Sequence, residues 1–145
     1  MNRPTVLVVE DDPAMREYFG TALRLGGFDV QVVGDGLAAL RRIEQDRPDA
    51  VLLDLDLPLM NGFAVHAALQ LDERTRGLPI VIVTGTGWSG PSPVSARVIK
   101  PIAPDDLVKV MFDALARGQV QNDGIDEAAR RTVLWLCPEC GSVAR

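Results

Sequence analysis

Four hydrophobic runs end in side chains capable of nucleophilic or metal chemistry. Glu10, Asp11 and Asp12 follow TVLVV, Asp54 follows DAVLL with Asp56 two residues on, Thr84 closes PIVIVT, and Lys100 follows SARVI. Carboxylates gathered at one place repel one another, so they either rise in pKa or take a cation. Hard oxygen donors with room for water suit Mg2+, which binds one or two carboxylates and completes its shell with water and phosphate oxygens. Lys100 adds a point charge and Thr84 a hydroxyl donor. A carboxylate nucleophile with a divalent metal, a lysine and a hydroxyl suits phosphoryl transfer, a reaction that depends on positioning and charge neutralisation. Taken singly, each has a structural alternative: Asp12 before Pro13 reads as a helix start, Asp54 as a turn aspartate, Lys100 as a loop cation. All four run ends turning polar with these residue types favours a shared site.

The elements that must position these groups are legible in the patterning. Residues 5 to 9, 29 to 33, 49 to 53, 79 to 84 and 95 to 99 read as strands, and the first, third and fourth are apolar enough to be covered on both faces of a parallel sheet. Val51, Leu52 and Leu53 then belong to the sheet core, and Asp54 is predicted to be the first residue to emerge from it. Helical stripes follow Pro13 (Met15, Phe19, Ala22, Leu23), Asp35-Gly36 (Leu37, Leu40, Ile43) and Gly62, and a last one carries Leu107, Val110, Met111, Ala114 and Leu115. Gly26-Gly27 and Gly118 are expected helix stops. Strands alternating with helices predict an α/β fold: a five-stranded parallel sheet, doubly wound, with functional groups beyond the carboxyl ends of the strands. The ten residues Gly85 to Val94 hold three glycines, two prolines and two serines, so a loop is expected there and the fourth helix shortened or missing.

A chain of 145 residues with 47% hydrophobic content fills one ordinary domain and a short appendage. The formal charge is -5, with no block of lysine and arginine, so direct nucleic-acid binding is not expected. The apolar run near the N-terminus is too short for a membrane span or a secretory segment, which predicts a cytoplasmic protein.

The pieces VLVVEDDP, LLDLDLPLMNG, IVIVTG and VIKP, in that order, resemble the receiver domain of two-component response regulators over residues 1 to about 118. The resemblance implies that Glu10 and Asp11 hold Mg2+, with Asp11 the direct ligand, and that the backbone carbonyl of Asp56 completes the protein's metal contacts. It makes Asp54 both a metal contact and the phosphoacceptor, with Thr84 hydrogen-bonding the phosphoryl group and Lys100 pairing with it. Pro58 and Gly62 match the turn after the acceptor, Asn61 stands where aspartate is common, and Gly85 keeps space beside Thr84. The implied donor is a phosphohistidine on a sensor histidine kinase or phosphotransfer protein, followed at most by slow self-dephosphorylation, in which Asp56 has a tuning position. Two alternatives stand beside this reading. One is a degenerate receiver acting as an unphosphorylated scaffold. The other is a haloacid-dehalogenase-like phosphatase built on Asp54-Leu55-Asp56, although such enzymes place the DxD early and their other acids later.

Two features depart from the family pattern. Arg97, three residues before Lys100, replaces the aromatic residue that follows the threonine inward on phosphorylation, and the loop holding Trp88 replaces a helix of the usual output face. The 27 residues from 119 to 145 are too few for an output domain that folds alone, so output is expected through an unknown downstream protein. Within them Cys137 and Cys140 form one Cys-x-x-Cys knuckle, and tetrahedral zinc needs four ligands. Two chains pooling their thiolates on Zn2+ as a homodimer, a redox pair, and an inert remnant are the alternatives. The lone histidine, His66, is expected on the surface and not as a ligand. Leu134, Trp135 and Leu136 form an apolar stretch that should dock on the domain or on a partner.

Overall fold

The computed structural model describes residues 3–85 and 96–122. Its elements run β1 (Thr5–Val9), α1 (Pro13–Leu25), β2 (Asp29–Val33), α2 (Gly36–Gln45), β3 (Ala50–Asp54), α3 (Gly62–Leu71), β4 (Ile80–Thr84), β5 (Ala96–Ile99) and α4 (Pro104–Asn122). The strands form one parallel sheet in the order β2-β1-β3-β4-β5. The three nearly all-apolar runs are therefore the three inner strands, and the polar-containing DVQVV and ARVI lie at the edges.

Alternation along each strand divides the core in two. Leu7, Val9, Val51, Leu53, Ile80 and Ile82 point to one side, under Ala39 and Ile43 of α2 and Val65 and Leu69 of α3. Val6, Val8, Leu52, Val81, Val83 and Val98 point to the other, under Phe19 and Leu23 of α1 and Leu107, Met111 and Ala114 of α4. Phe28 extends this second layer and packs on Phe112 with ring centroids 4.5 Å apart.

The helix starts follow capping chemistry. Asp12, Asp35 and Asn61 are N-caps whose side chains accept from the amides of Ala14, Ala38 and Ala64, at 3.2, 2.7 and 2.9 Å. Gly26 closes α1, and Gly27 follows with φ +106°, a conformation that favours glycine.

Three sequence expectations are corrected. Asp54 is the last residue of β3 and not the first beyond it, because its backbone still pairs with Val83 of β4. Gly118 does not stop the last helix, which continues to Asn122; one glycine costs about 1 kcal/mol of helix propensity, too little to end a long helix. His66 is buried, with 3% of its surface exposed, because the position beside Val65 on α3 turns inward. The predicted loop between β4 and β5, with Trp88, lies outside the described residues apart from Gly85. The cysteine knuckle at Cys137 and Cys140 and the stretch around Trp135 lie wholly outside them. No described helix is long and apolar enough to cross a membrane.

Candidate functional site

The strand order reverses direction at β1, whose two neighbours are β2 and β3, and crevices of open parallel sheets form beyond the carboxyl ends at such a point. The acidic residues lie there. Glu10 and Asp11 follow β1 directly, Asp54 ends β3, and one carboxylate oxygen from each falls within 4.8 Å of the others. Glu10 and Asp54 are buried, at 1% and 2% exposure, whereas Asp11 is exposed.

The cation that faces them comes from the far side of the chain. The Lys100 Nζ donates to Glu10 Oε1 at 2.9 Å and lies 3.6 Å from Asp54 Oδ2. Its backbone is anchored as well, since the Lys100 amide donates to the Thr84 carbonyl at 2.8 Å. Lys100 precedes a cis peptide bond to Pro101. Thr84, buried at the end of β4, completes the group, and Arg97 is half-buried in β5 in register with Ile82.

Glu10 is fastened on all sides. Its amide donates to the Val33 carbonyl at 3.1 Å, its Oε2 accepts from the Asp12 amide at 3.3 Å, and its carbonyl accepts from Arg16 Nη1 at 3.3 Å. The roles of the Asp12 amide and of Arg16 have no signal in the sequence, where both residues read as the start and the solvent face of a helix. Asp54 Oδ1 accepts from the Asp56 amide at 3.2 Å, a turn that points the chain out of the sheet, and Asp56 itself is exposed. Gly62 packs on that turn. Its amide donates to the Leu55 carbonyl at 3.0 Å, and a Cβ on it would stand 2.4 Å from the Asp54 carbonyl oxygen.

The electrostatics follow from burial. Withdrawal from water raises the Glu10 carboxyl from 4.5 to about 7; the Lys100 hydrogen bond opposes this, and the nearby Asp54 carboxylate adds to it. Burial lowers the Lys100 ammonium, but its hydrogen bond to Glu10 and the charges of Asp54 and Glu10 outweigh that, leaving it above its ordinary value. One ammonium thus pairs with two of three clustered carboxylates, a donor set whose oxygens suit a divalent cation. Glu10, Asp11, Asp54, Thr84 and Lys100 are all found at the carboxyl end of the sheet, as their positions after the hydrophobic runs imply.

Comparison with known proteins agrees with this geometry. A family model described as the response regulator receiver domain matches residues 6–112. The DNA-binding response regulator MtrA of Mycolicibacterium smegmatis is 40% identical over 123 residues, covering 81% of this chain and 53% of that protein. The chain therefore spans about half the length of the curated relatives it matches. Among solved structures, a sensor protein from Polaromonas sp. JS666 superposes with a TM-score of 0.75 at 32% identity, over 80% of this chain and 98% of that one. The receiver domain of the sensor histidine kinase PA1611 from Pseudomonas aeruginosa PAO1 superposes with a TM-score of 0.74 at 27% identity, over 79% of this chain and 98% of that one. That structure holds a magnesium ion in its active-site cleft.

Proposed function

The chain belongs to the response regulator receiver domain family, and from that premise we propose that it accepts a phosphoryl group on Asp54 from a phosphohistidine of a sensor kinase or phosphotransfer protein, with Mg2+. The observation that carries the reading is the convergence of Asp54, the Glu10-Asp11 pair and Lys100 at the β1/β3 crevice. An oxygen of the Asp54 carboxylate forms the new bond to phosphorus as the phosphorus–nitrogen bond to the donor imidazole breaks. The electron pair of that bond leaves with the imidazole nitrogen, which takes up a proton, so no acid or base on this chain is required. Lys100 stays charged throughout and pairs with the phosphoryl oxygens, while the Thr84 hydroxyl donates to one of them. Asp11, exposed beside the buried Glu10, would be the direct metal ligand together with Asp54, and the Asp56 carbonyl would complete the protein's contacts. Glu10, already engaged by Lys100 and the Asp12 amide, shapes the site from below. When bound, Mg2+ supplies neutralisation of charge between the carboxylates and the incoming phosphoryl group. The signal then passes to a downstream protein through contact.

The test is intact mass after incubation with acetyl phosphate and Mg2+, beside a chelated control. A single phosphoryl gain that needs Mg2+ is the expected result, and no gain under either condition, nor from a kinase donor, would overturn the reading.

The raised Glu10 carboxyl makes metal binding sensitive to pH in the neutral range. Protonated Glu10 removes one negative charge from the donor set, so affinity falls as pH drops through about 7 and levels off above it. Because Glu10 neighbours the ligands without being one, Mg2+ is expected to bind more tightly at pH 8 than at pH 6, by no more than the roughly tenfold of outright proton competition. Calorimetric titration with MgCl2 at both values measures this. Equal affinities would show that Glu10 keeps one protonation state across the range.

A further inference from the structure

Helix α1 braces the site at more than one point. At its N-terminal end Asp12 and Arg16 hold the Glu10 carboxylate and carbonyl. Further along, the Tyr18 hydroxyl donates to the Ile102 carbonyl at 2.7 Å, a bond between residues 84 apart in sequence. Ile102 belongs to the four-residue connection 100–103 between the end of β5 at Ile99 and the start of α4 at Pro104, the segment that carries Lys100. On one side that segment is tied to β4, through the Lys100 amide and the Thr84 carbonyl. On the other its tie is to α1, through Tyr18, while the half-buried Ile102 side chain packs on the core.

We propose that Tyr18 is a positioning residue for Lys100: its hydroxyl pins the connection 100–103 to α1 and so holds the Lys100 ammonium between Glu10 and Asp54. The inference rests on the phosphoacceptor reading above, and adds a residue that touches neither metal nor phosphoryl group. The geometry makes the dependence physical. Lys100 Nζ is within hydrogen-bond reach of Glu10 at 2.9 Å and just beyond it for Asp54 at 3.6 Å, so a shift of its backbone by a fraction of an ångström changes which carboxylate it serves. The Tyr18 ring sits against Phe19, with centroids 5.8 Å apart, and the residue is 38% exposed, so water competes for the carbonyl and the tie is a moderate one.

Tyr18→Phe removes the hydroxyl and keeps the ring. The expected result is amide exchange at Lys100 accelerated about three- to tenfold with the core amide of Val51 unchanged, and phosphoryl uptake from acetyl phosphate slowed by a similar factor. Thr75→Val is the matched control. It loses a bond of the same kind and length, from the Thr75 hydroxyl to the Leu69 carbonyl at 2.7 Å, and a longer one to the Asp72 carbonyl at 3.3 Å, at the opposite end of the sheet. It should leave both the Lys100 exchange and the uptake rate unaltered. Unchanged exchange at Lys100, uptake at the wild-type rate, or equal slowing by Thr75→Val would each overturn the role. A wild-type chain that takes no phosphoryl group would instead sink the phosphoacceptor reading, while the exchange rates would still decide whether Tyr18 holds the Lys100 segment.

Discussion

Asp54→Asn should reduce the proposed phosphoryl uptake on the order of a hundredfold or more, because an amide has no anionic oxygen to form the bond to phosphorus. The fold should survive the change. The replacement side chain retains an oxygen able to accept from the Asp56 amide, as Asp54 Oδ1 does at 3.2 Å, and the strand pairing of position 54 with Val83 is made by the backbone. Removing the carboxylate also relieves Glu10 of a charge that pushes its own carboxyl upward. The variant is thus expected to melt no lower than the wild type near pH 7 without Mg2+, and thermal melting alongside intact mass separates lost chemistry from lost structure. Continued single phosphorylation of the folded variant would place the acceptor elsewhere, with the exposed carboxylates of Asp11 and Asp56 the first to examine.

Gly62→Ala should damage both stability and site. The added Cβ would lie 2.4 Å from the Asp54 carbonyl oxygen and 2.7 Å from the Leu55 Cα, and both are backbone atoms that no rotamer change can move. Either the first turn of α3 lifts away, losing the Gly62 amide bond to the Leu55 carbonyl, or the end of β3 tilts and takes the Asp54 carboxylate with it. Overpacking of this kind costs about 1–3 kcal/mol, and uptake on Asp54 should fall in whatever fraction remains folded. Urea denaturation measures the first effect and intact mass the second. Gly20→Ala is the contrast, since the new methyl group there meets the flexible end of Arg24 at 3.3 Å and sits inside α1, where alanine is favoured over glycine. If Gly62→Ala were as stable as the wild type, the close approach of α3 to β3 would have to be looser than these distances state.

The readable part of this molecule was the part governed by short-range pattern. Five runs became five strands within one residue at each end, and the three inner ones were plainest because burial on both faces demands uninterrupted apolar sequence. Asp12 before Pro13 announced one helix start and the patterns after Asp35-Gly36 and Gly62 two more, and the structure shows Asp12, Asp35 and Asn61 capping them over two or three residues. The type and position of Glu10, Asp11, Asp54, Thr84 and Lys100 after those runs were enough to predict that they lie together, since parallel strands deliver their carboxyl ends to one edge. His66 was misread because a lone histidine gives no sign of which way it faces. Its burial depends on how α3 rotates against β3 and β4, which is a packing outcome.

From the sequence alone came the α/β alternation, the identity of the chemical groups and the edge of the sheet on which they lie. Only the tertiary structure decided how they pair. Lys100 meets Glu10 across 90 residues and Tyr18 reaches Ile102 across 84, contacts that exist because β1 is flanked by β2 and β3 while α1 and α4 share one face of the sheet. The raised Glu10 carboxyl is likewise a product of burial beside Asp54, and no local pattern carries it. The physical reason is range: capping and periodicity act within a turn or a strand, whereas desolvation and charge pairing depend on which elements the folded chain makes neighbours.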